Sequence, residues 1–160
     1  MDGRRGDSAE PQVIELSERT TAVVSGVVPV AGLRQFFDEA FRELQECMAG
    51  GGFTPSGAAL AFYRRAPDET VDLEVGFPIR GPLEPTGAVA AGRLPGGRAV
   101  TCLHLGNYED LADSWSRLGE WAAARGLTPK GPQWEIYVTE PRPGDDPADM
   151  VTELYWAIEP

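Results

Sequence analysis

The sequence predicts an α+β domain made of two β-α-β-β modules related by a pseudo-twofold axis. Its antiparallel sheet is expected to carry both helices on one side and a ligand cleft on the other. Three observations predict this. Hydrophobic residues fill 42% of 160 positions, enough for one packed core and too few for two large ones. Two stretches place apolar residues at helical spacing, each between runs of strand character. Gly52-Phe53-Thr54-Pro55-Ser56-Gly57 also returns 74 residues later as Gly126-Leu127-Thr128-Pro129-Lys130-Gly131.

Residues 1–11 are polar and Gly-rich and read as a flexible tail, leaving residues 12–160 as one domain. Thr21 to Val28 is rich in Val and Thr and reads as a strand. From there Leu33, Phe37, Phe41, Leu44 and Met48 make one helical stripe, which Gly50-Gly51-Gly52 ends. Ala59 to Arg64 and Val71 to Ile79 read as a hairpin across a turn at Ala66-Pro67-Asp68-Glu69. Residues 81–87, with Pro82 and Pro85, connect to the second half. There Ala88 to Leu94 and Arg98 to Leu105 flank Pro95-Gly96-Gly97, a second hairpin signal. Asn107 suits a helix N-cap, and Leu111, Trp115, Leu118 and Ala122 form the second stripe, ended by Gly126. Gln133 to Thr139 and Val151 to Ile158 read as strands around an exposed, Pro- and Asp-rich loop at 140–149.

Holding the offset of 74 aligns Phe37 with Leu111, Phe41 with Trp115, Leu44 with Leu118 and Tyr63 with Tyr137, without a gap. The repeat units are about 20–79 and 88–160.

The formal charge of −11 leaves no cationic stripe for nucleic acid. It suits solubility, and cationic ligands at long range. No run of 18 apolar residues exists to span a membrane, and no apolar stretch follows Arg4 and Arg5 to make a secretory signal. Cys47 and Cys102 lack metal or redox spacing, which suits small buried residues in a reduced, cytoplasmic protein. One histidine, His104, is too few for a His-based metal cage. G-x-S-x-G, P-loop and G-x-G-x-x-G signatures are absent, and no cofactor is expected.

Alternation sorts the strand faces. Trp134, Ile136 and Val138 share one face, as do Leu154, Trp156 and Ile158, and both sets are expected to meet the second helix. Glu135, Tyr137, Glu153 and Tyr155 would then lie together on the helix-free face. Repeat alignment adds Tyr63 and Glu74, with small Ala61 and Gly76 opening room. Such a surface suits a flat cationic or aromatic ligand; it equally suits a solvated sheet face. Glu135 and Glu153 as neighbours would push at least one carboxyl up. His104 reads either as a ligand contact or proton donor, or as a satisfied half-buried histidine. Tyr108 and Trp121 are placed to border the cleft, and Trp115 and Trp156 read as core.

The run His104-Leu-Gly-Asn-Tyr108, then Leu111, Trp115, Leu118 and Trp121, Pro132-Gln-Trp134-Glu135-Ile-Tyr137, and Thr152-Glu153-Leu-Tyr155 with Ile158 resembles the GyrI-like (gyrase-inhibitor-like) small-molecule-binding family. That family includes effector-binding domains of AraC-type and MerR-type regulators and stand-alone relatives. The resemblance implies a duplicated fold with a ligand cleft between its halves. It implies a pocket glutamate at Glu135, lined by Tyr137, Glu153 and Tyr155. Nothing here resembles a helix-turn-helix, so the likeness is to a stand-alone member.

The first functional expectation is binding of flat, aromatic, often cationic lipophilic compounds, with sequestration as an outcome. The second is a hydrolase opening cyclopropane rings of DNA-alkylating natural products, with Glu135 activating water and Tyr137 or Tyr155 donating a hydrogen bond. The third is a protein-interaction module that inhibits gyrase. The first two use the same residues, so the sequence leaves them open.

Overall fold

The computed structural model describes residues 10–65, 68–107, 110–139, 146 and 150–158. Chain order is β1 (Gln12–Leu16), β2 (Arg19–Pro29), a 3-10 turn (Val30–Gly32), α1 (Leu33–Ala49), β3 (Thr54–Pro55), β4 (Leu60–Tyr63) and β5 (Thr70–Arg80). Then come β6 (Ala90–Leu94), β7 (Gly97–Leu105), α2 (Leu111–Ala124), β8 (Pro129–Tyr137) and β9 (Val151–Ile158). All strands pair antiparallel in one curled sheet of order β1-β7-β9-β8-β4-β5-β2-β6, with β3 beside β5.

The stripes read from the sequence become the buried faces of the helices. In α1 Leu44 of the stripe is buried with Ala40 and Cys47 against Val71, Leu73 and Val75 of β5, while Leu33, Phe37, Phe41 and Met48 pack half-buried around them. In α2 the stripe buries Leu118 and Ala122 against Val100, Leu154 and Ile158. Leu44 and Leu118, repeat equivalents, are both fully buried. Each contributes about 1.5–3 kcal/mol by leaving water.

The duplication is visible in the pairing. β2-α1-β4-β5 and β7-α2-β8-β9 have the same connectivity, and β4 joins β8 at the centre of the sheet. Ala61 pairs with Glu135, Leu60 with Ile136 and Phe62 with Trp134. Ala61 and Glu135 are also equivalent under the 74-residue offset, so the pseudo-twofold axis runs through that one pair.

The hairpin expected at 88–105 does not form. β6 pairs with β2, and β7 pairs with β1 and β9, at opposite ends of the sheet. Curling brings the two ends together: a Cβ on Gly96 would lie 3.0 Å from the Glu18 nitrogen and 3.1 Å from the Leu16 oxygen. Pro95-Gly96 therefore links strands across that seam, where close backbone passage requires glycine. β1 was not anticipated; its five residues close the far edge. The tail expected at 1–11 falls at residues 1–9 outside the described residues, as do Ala66-Pro67 of the turn and most of the 140–149 loop. Asn107 is not the helix N-cap; α2 begins at Leu111, with Asp110 at the cap.

Curling also gives the sheet a second core on the face away from the helices. Leu60, Leu94 and Trp134 are buried there, packed by Leu16, Phe62, Ile136, Tyr155 and Ala157. This overturns the expected location of the cleft, because the helix-free face is filled by its own side chains.

Candidate functional site

A cavity of about 990 Å³ opens on the helix side of the sheet. Its walls include Leu33, Phe37 and Phe41 of α1, Phe77 of β5 and Leu111 of α2. Tyr63, Glu135 and Tyr137 also line it, from the central strands. Ala61, on the axis beside Glu135, is small and fully buried in the core under α1.

Glu135 is 5% exposed and its carboxylate accepts three hydrogen bonds. Oε1 accepts from the Tyr137 hydroxyl at 2.6 Å and from the Tyr63 hydroxyl at 3.3 Å. Oε2 accepts from the Trp115 indole N–H at 3.0 Å. Burial pushes the carboxyl above the ordinary Glu range, against the pull of those three donors and of His104. The Tyr63 phenol is held well above its usual value, first by burial and then by the Glu135 charge, so it stays a donor.

The expected gathering of Glu135, Tyr137, Glu153, Tyr155, Tyr63 and Glu74 on one helix-free face does not occur. Glu135 pairs across from Leu154, and Ile136 from Glu153. Glu135, Tyr137 and Tyr63 face the helices, while Glu153, Tyr155 and Glu74 face the second core. The physical reason is that both faces of this sheet are buried. Trp134 and Ile136 satisfy the second core, so an apolar phase in β8 does not mark the helix side. In β9 the same reasoning holds true, because Leu154 and Ile158 do pack under α2. The two glutamates are not neighbours, and the raised carboxyl of Glu135 comes from burial, not from like charge.

On the other face, Tyr155 stacks on Trp134 with centroids 5.5 Å apart and donates to Glu153 at 2.8 Å. Burial, then the Glu153 carboxylate, pushes the Tyr155 phenol up. Glu74 is ion-paired with Arg64 at 2.8 Å. His104 is 3% exposed and engaged at both ring nitrogens, with Ser114 Oγ at 2.7 Å from Nδ1 and the Asn107 carbonyl at 2.6 Å from Nε2. The Asn107 carbonyl can only accept, so Nε2 carries an N–H toward it, and the Ser114 hydroxyl meets Nδ1. His104 thus joins the β7 end to α2 rather than facing the cavity. Trp121 lies outside the cavity wall, with the Arg125 guanidinium 4.0 Å over its ring. Tyr108 lies outside the described residues.

Trp115 was read from the sequence as core only; it also holds Glu135. The signal was available in the repeat. The first module has Phe41 and Ala61 where the second has Trp115 and Glu135. A ring N–H and a carboxylate thus enter together in one half and are both missing in the other.

The sequence matches the GyrI-like small molecule binding domain over residues 9–159. The chain belongs to that family. The C-terminal domain of EcmrR has the same fold, with a TM-score of 0.80 at 18% identity over 94% of this chain and 97% of that one. In an EcmrR–DNA complex the TM-score is 0.81 at 21% identity; 94% of this chain is covered, and it spans 57% of that protein. SAV2435, solved bound to tetraphenylphosphonium, gives 0.66 at 12% identity over 94% of each chain. A hydrolase encoded by lin2189 from Listeria innocua gives 0.64 at 15% identity over 95% of this chain and 93% of that one. No curated protein sequence matches.

In this GyrI-like domain no three His, Cys, Asp or Glu side chains among the described residues converge as a metal site. No helix among the described residues is long and apolar enough to cross a membrane.

Proposed function

We propose that the cavity binds flat, aromatic, lipophilic cations, and that sequestration of such compounds is the biological outcome. The observation that carries this reading is the buried carboxylate of Glu135 on the wall of an aromatic cavity. Phe37, Phe41 and Phe77 offer ring faces to a flat ligand, and Glu135 offers the charge. A bound cation offsets the burial that pushes the carboxyl up, so ligand and carboxylate stabilise each other. The family's small-molecule binding and the tetraphenylphosphonium complex of SAV2435 support the reading.

Titration with acridine and 10-methylacridinium at pH 7.5 tests it, since the two share a shape and differ in charge. The cation should bind tighter, and Glu135→Gln should weaken it by roughly tenfold to a hundredfold while sparing acridine. Equal loss for both ligands would remove Glu135 from recognition. Trp115 reports the event directly, because its indole N–H bonds the same carboxylate.

A second reading rests on the raised Glu135 carboxyl beside a phenol donor, and on a fold shared with a protein described as a hydrolase. Glu135 would take a proton from water and Tyr137 would donate to the developing oxyanion as a strained ring opens. Tyr155, the other candidate donor, faces the opposite core and is not available to that step. Mass spectrometry of a cyclopropane-bearing alkylating compound decides it: gain of one water, lost in Glu135→Gln, is the expected signature.

A further inference from the structure

Glu135 is held on the cavity wall partly from α2, and α2 is itself held by a residue outside the cavity. Trp115 donates to Glu135 Oε2 at 3.0 Å, and the residue before it, Ser114, meets His104 Nδ1 at 2.7 Å. The two bonds reach different strands, Trp115 to β8 and Ser114 to β7. Successive residues of an α-helix point about 100° apart. One turn of α2 is therefore pinned to the sheet on two sides. Leu118 and Ala122 pack beneath the same helix, but apolar contact is not directional and lets a helix roll about its axis. A bond on each side of the axis fixes the roll.

His104 is suited to be the outer pin. Its ring is buried, and Nε2 is engaged by the Asn107 carbonyl at 2.6 Å, so the ring is oriented independently of Ser114. On the helix face of the sheet His104 pairs with Thr152, and Thr152 pairs with Tyr137. The Thr152 hydroxyl oxygen and the Asn107 side-chain oxygen are buried there without a partner. Among the described residues, the His104–Ser114 contact is the one hydrogen bond between α2 and either β7 or β9.

We propose that His104 is a positioning residue for the cation site: through Ser114 it sets the roll of α2 at which the Trp115 N–H meets Glu135. This role rests on the cation-binding reading for its consequence. With the Ser114 contact cut, α2 rolls and the Trp115 N–H withdraws from Oε2. The buried carboxylate loses a donor that favours its charge, so it holds a proton more readily and offers a cation less. A neutral ligand of the same shape still meets Phe37, Phe41 and Phe77, which His104 does not touch.

The experiment follows the Trp115 indole proton by NMR and the charge preference by fluorescence titration, in the full chain at pH 7.5. Ser114→Ala and His104→Gln cut the contact from its two ends. The indole resonance, identified by its loss in Trp115→Phe, should move upfield in both variants and exchange faster with solvent. The ratio of 10-methylacridinium to acridine affinity should fall by about threefold to tenfold, with acridine itself changed by less than about twofold. On a Trp115→Phe background the same substitutions should move the ratio by less than about twofold, because the group they position is gone. An indole resonance unmoved in Ser114→Ala overturns the proposal. That substitution removes a single hydroxyl, so the test stands even if His104→Gln fails to fold. Equal losses for both ligands, or a ratio that falls as far without Trp115 as with it, also overturn it, since loosened packing alone would do either. A wild type without charge preference overturns the cation-binding reading and this role with it. A charge preference untouched by both variants overturns this role alone.

Discussion

Phe41 and Phe77 meet edge to face in the first module, with ring centroids 5.8 Å apart and planes at 84°. Their counterparts in the second module, Trp115 and Trp156, meet at 5.9 Å and 85°. Two different residue pairs thus build one aromatic corner, because the backbone repeats and edge-to-face contact is favoured for any ring. What differs is chemistry. Trp115 brings an N–H to Glu135 on the axis, whereas Phe41 has no donor, and the first module has the small Ala61 where the second has Glu135. The first half becomes cavity wall, with Phe41 and Phe77 both lining it; the second becomes the support that holds the charge. Duplication supplied the frame, and a few exchanged side chains made it asymmetric.

The strongest way to break the comparison is at Gly76, whose counterpart in the second module is Tyr155, since Gly76 pairs with Leu60 as Tyr155 pairs with Trp134. A Cβ on Gly76 would stand 1.8 Å from the Ala22 carbonyl oxygen, a backbone atom that cannot swing away. Gly76→Ala should cost about 4 kcal/mol or more in urea unfolding. Tyr155→Ala should cost about 2 kcal/mol, from the lost stack on Trp134. Comparable losses would mean that the two modules approach their neighbouring strands alike.

The frame itself is tested by Leu44→Ala and Leu118→Ala. Both side chains are 0% exposed, and each truncation should cost about 2–5 kcal/mol, as cavity formation does elsewhere. If one costs under 1 kcal/mol, the modules do not share the load as their packing implies.

A double-mutant cycle sharpens the asymmetry. Trp115→Phe with Glu135→Ala should show a coupling of about 1.5–3 kcal/mol, the range for a hydrogen bond to a charge. Phe41→Leu with Glu135→Ala should be additive to within about 0.5 kcal/mol. Coupling of equal size in both cycles would move the effect from the N–H to general packing.

The smallest effect is in pH. Burial raises the Glu135 carboxyl in the folded chain, so the native state takes up its proton before the unfolded chain does. The stability of the wild type relative to Glu135→Gln should therefore rise as pH falls through the raised value. It should level off below the ordinary Glu value of about 4.5, with a slope of at most about 1.4 kcal/mol per pH unit. Chemical unfolding of both proteins from pH 8 to pH 4 measures it, and a difference that falls with pH would reverse the assignment. Cation affinity should decline over the same window, since protonation removes the charge that the ligand meets.

Much of the fold was legible. The stripes at Leu33 to Met48 and Leu111 to Ala122 fall within α1 and α2, and the Val151 to Ile158 strand matches β9. The 74-residue repeat matched the helices and β4 with β8, and anchoring Ile79 on Ile158, an offset of 79, makes Val75 the counterpart of Leu154; the ladders agree, because Ala61 pairs with Val75 as Glu135 pairs with Leu154. Less of the site was legible. Glu135, Tyr137 and Tyr63 do stand together, but Glu153, Tyr155 and Glu74 stand across the sheet from them. Alternation gives two sets of residues per strand without saying which set faces the helices. That choice is obvious only when one face is wet, and here Trp134 and Leu60 keep the second face dry.

The sequence by itself determined the element types and the duplication. These follow from period, spacing and repeat, which are properties of neighbours along the chain. Tertiary structure alone decided that β6 and β7 part to opposite ends, that the sheet curls around a second core, and that the cavity lies under α1. Each of those depends on which strand edges meet after the chain has closed on itself. A turn signal at Pro95-Gly96 says that the chain reverses there. Only the closing of the curled sheet over Leu16 and Glu18 decides which strands it reverses between.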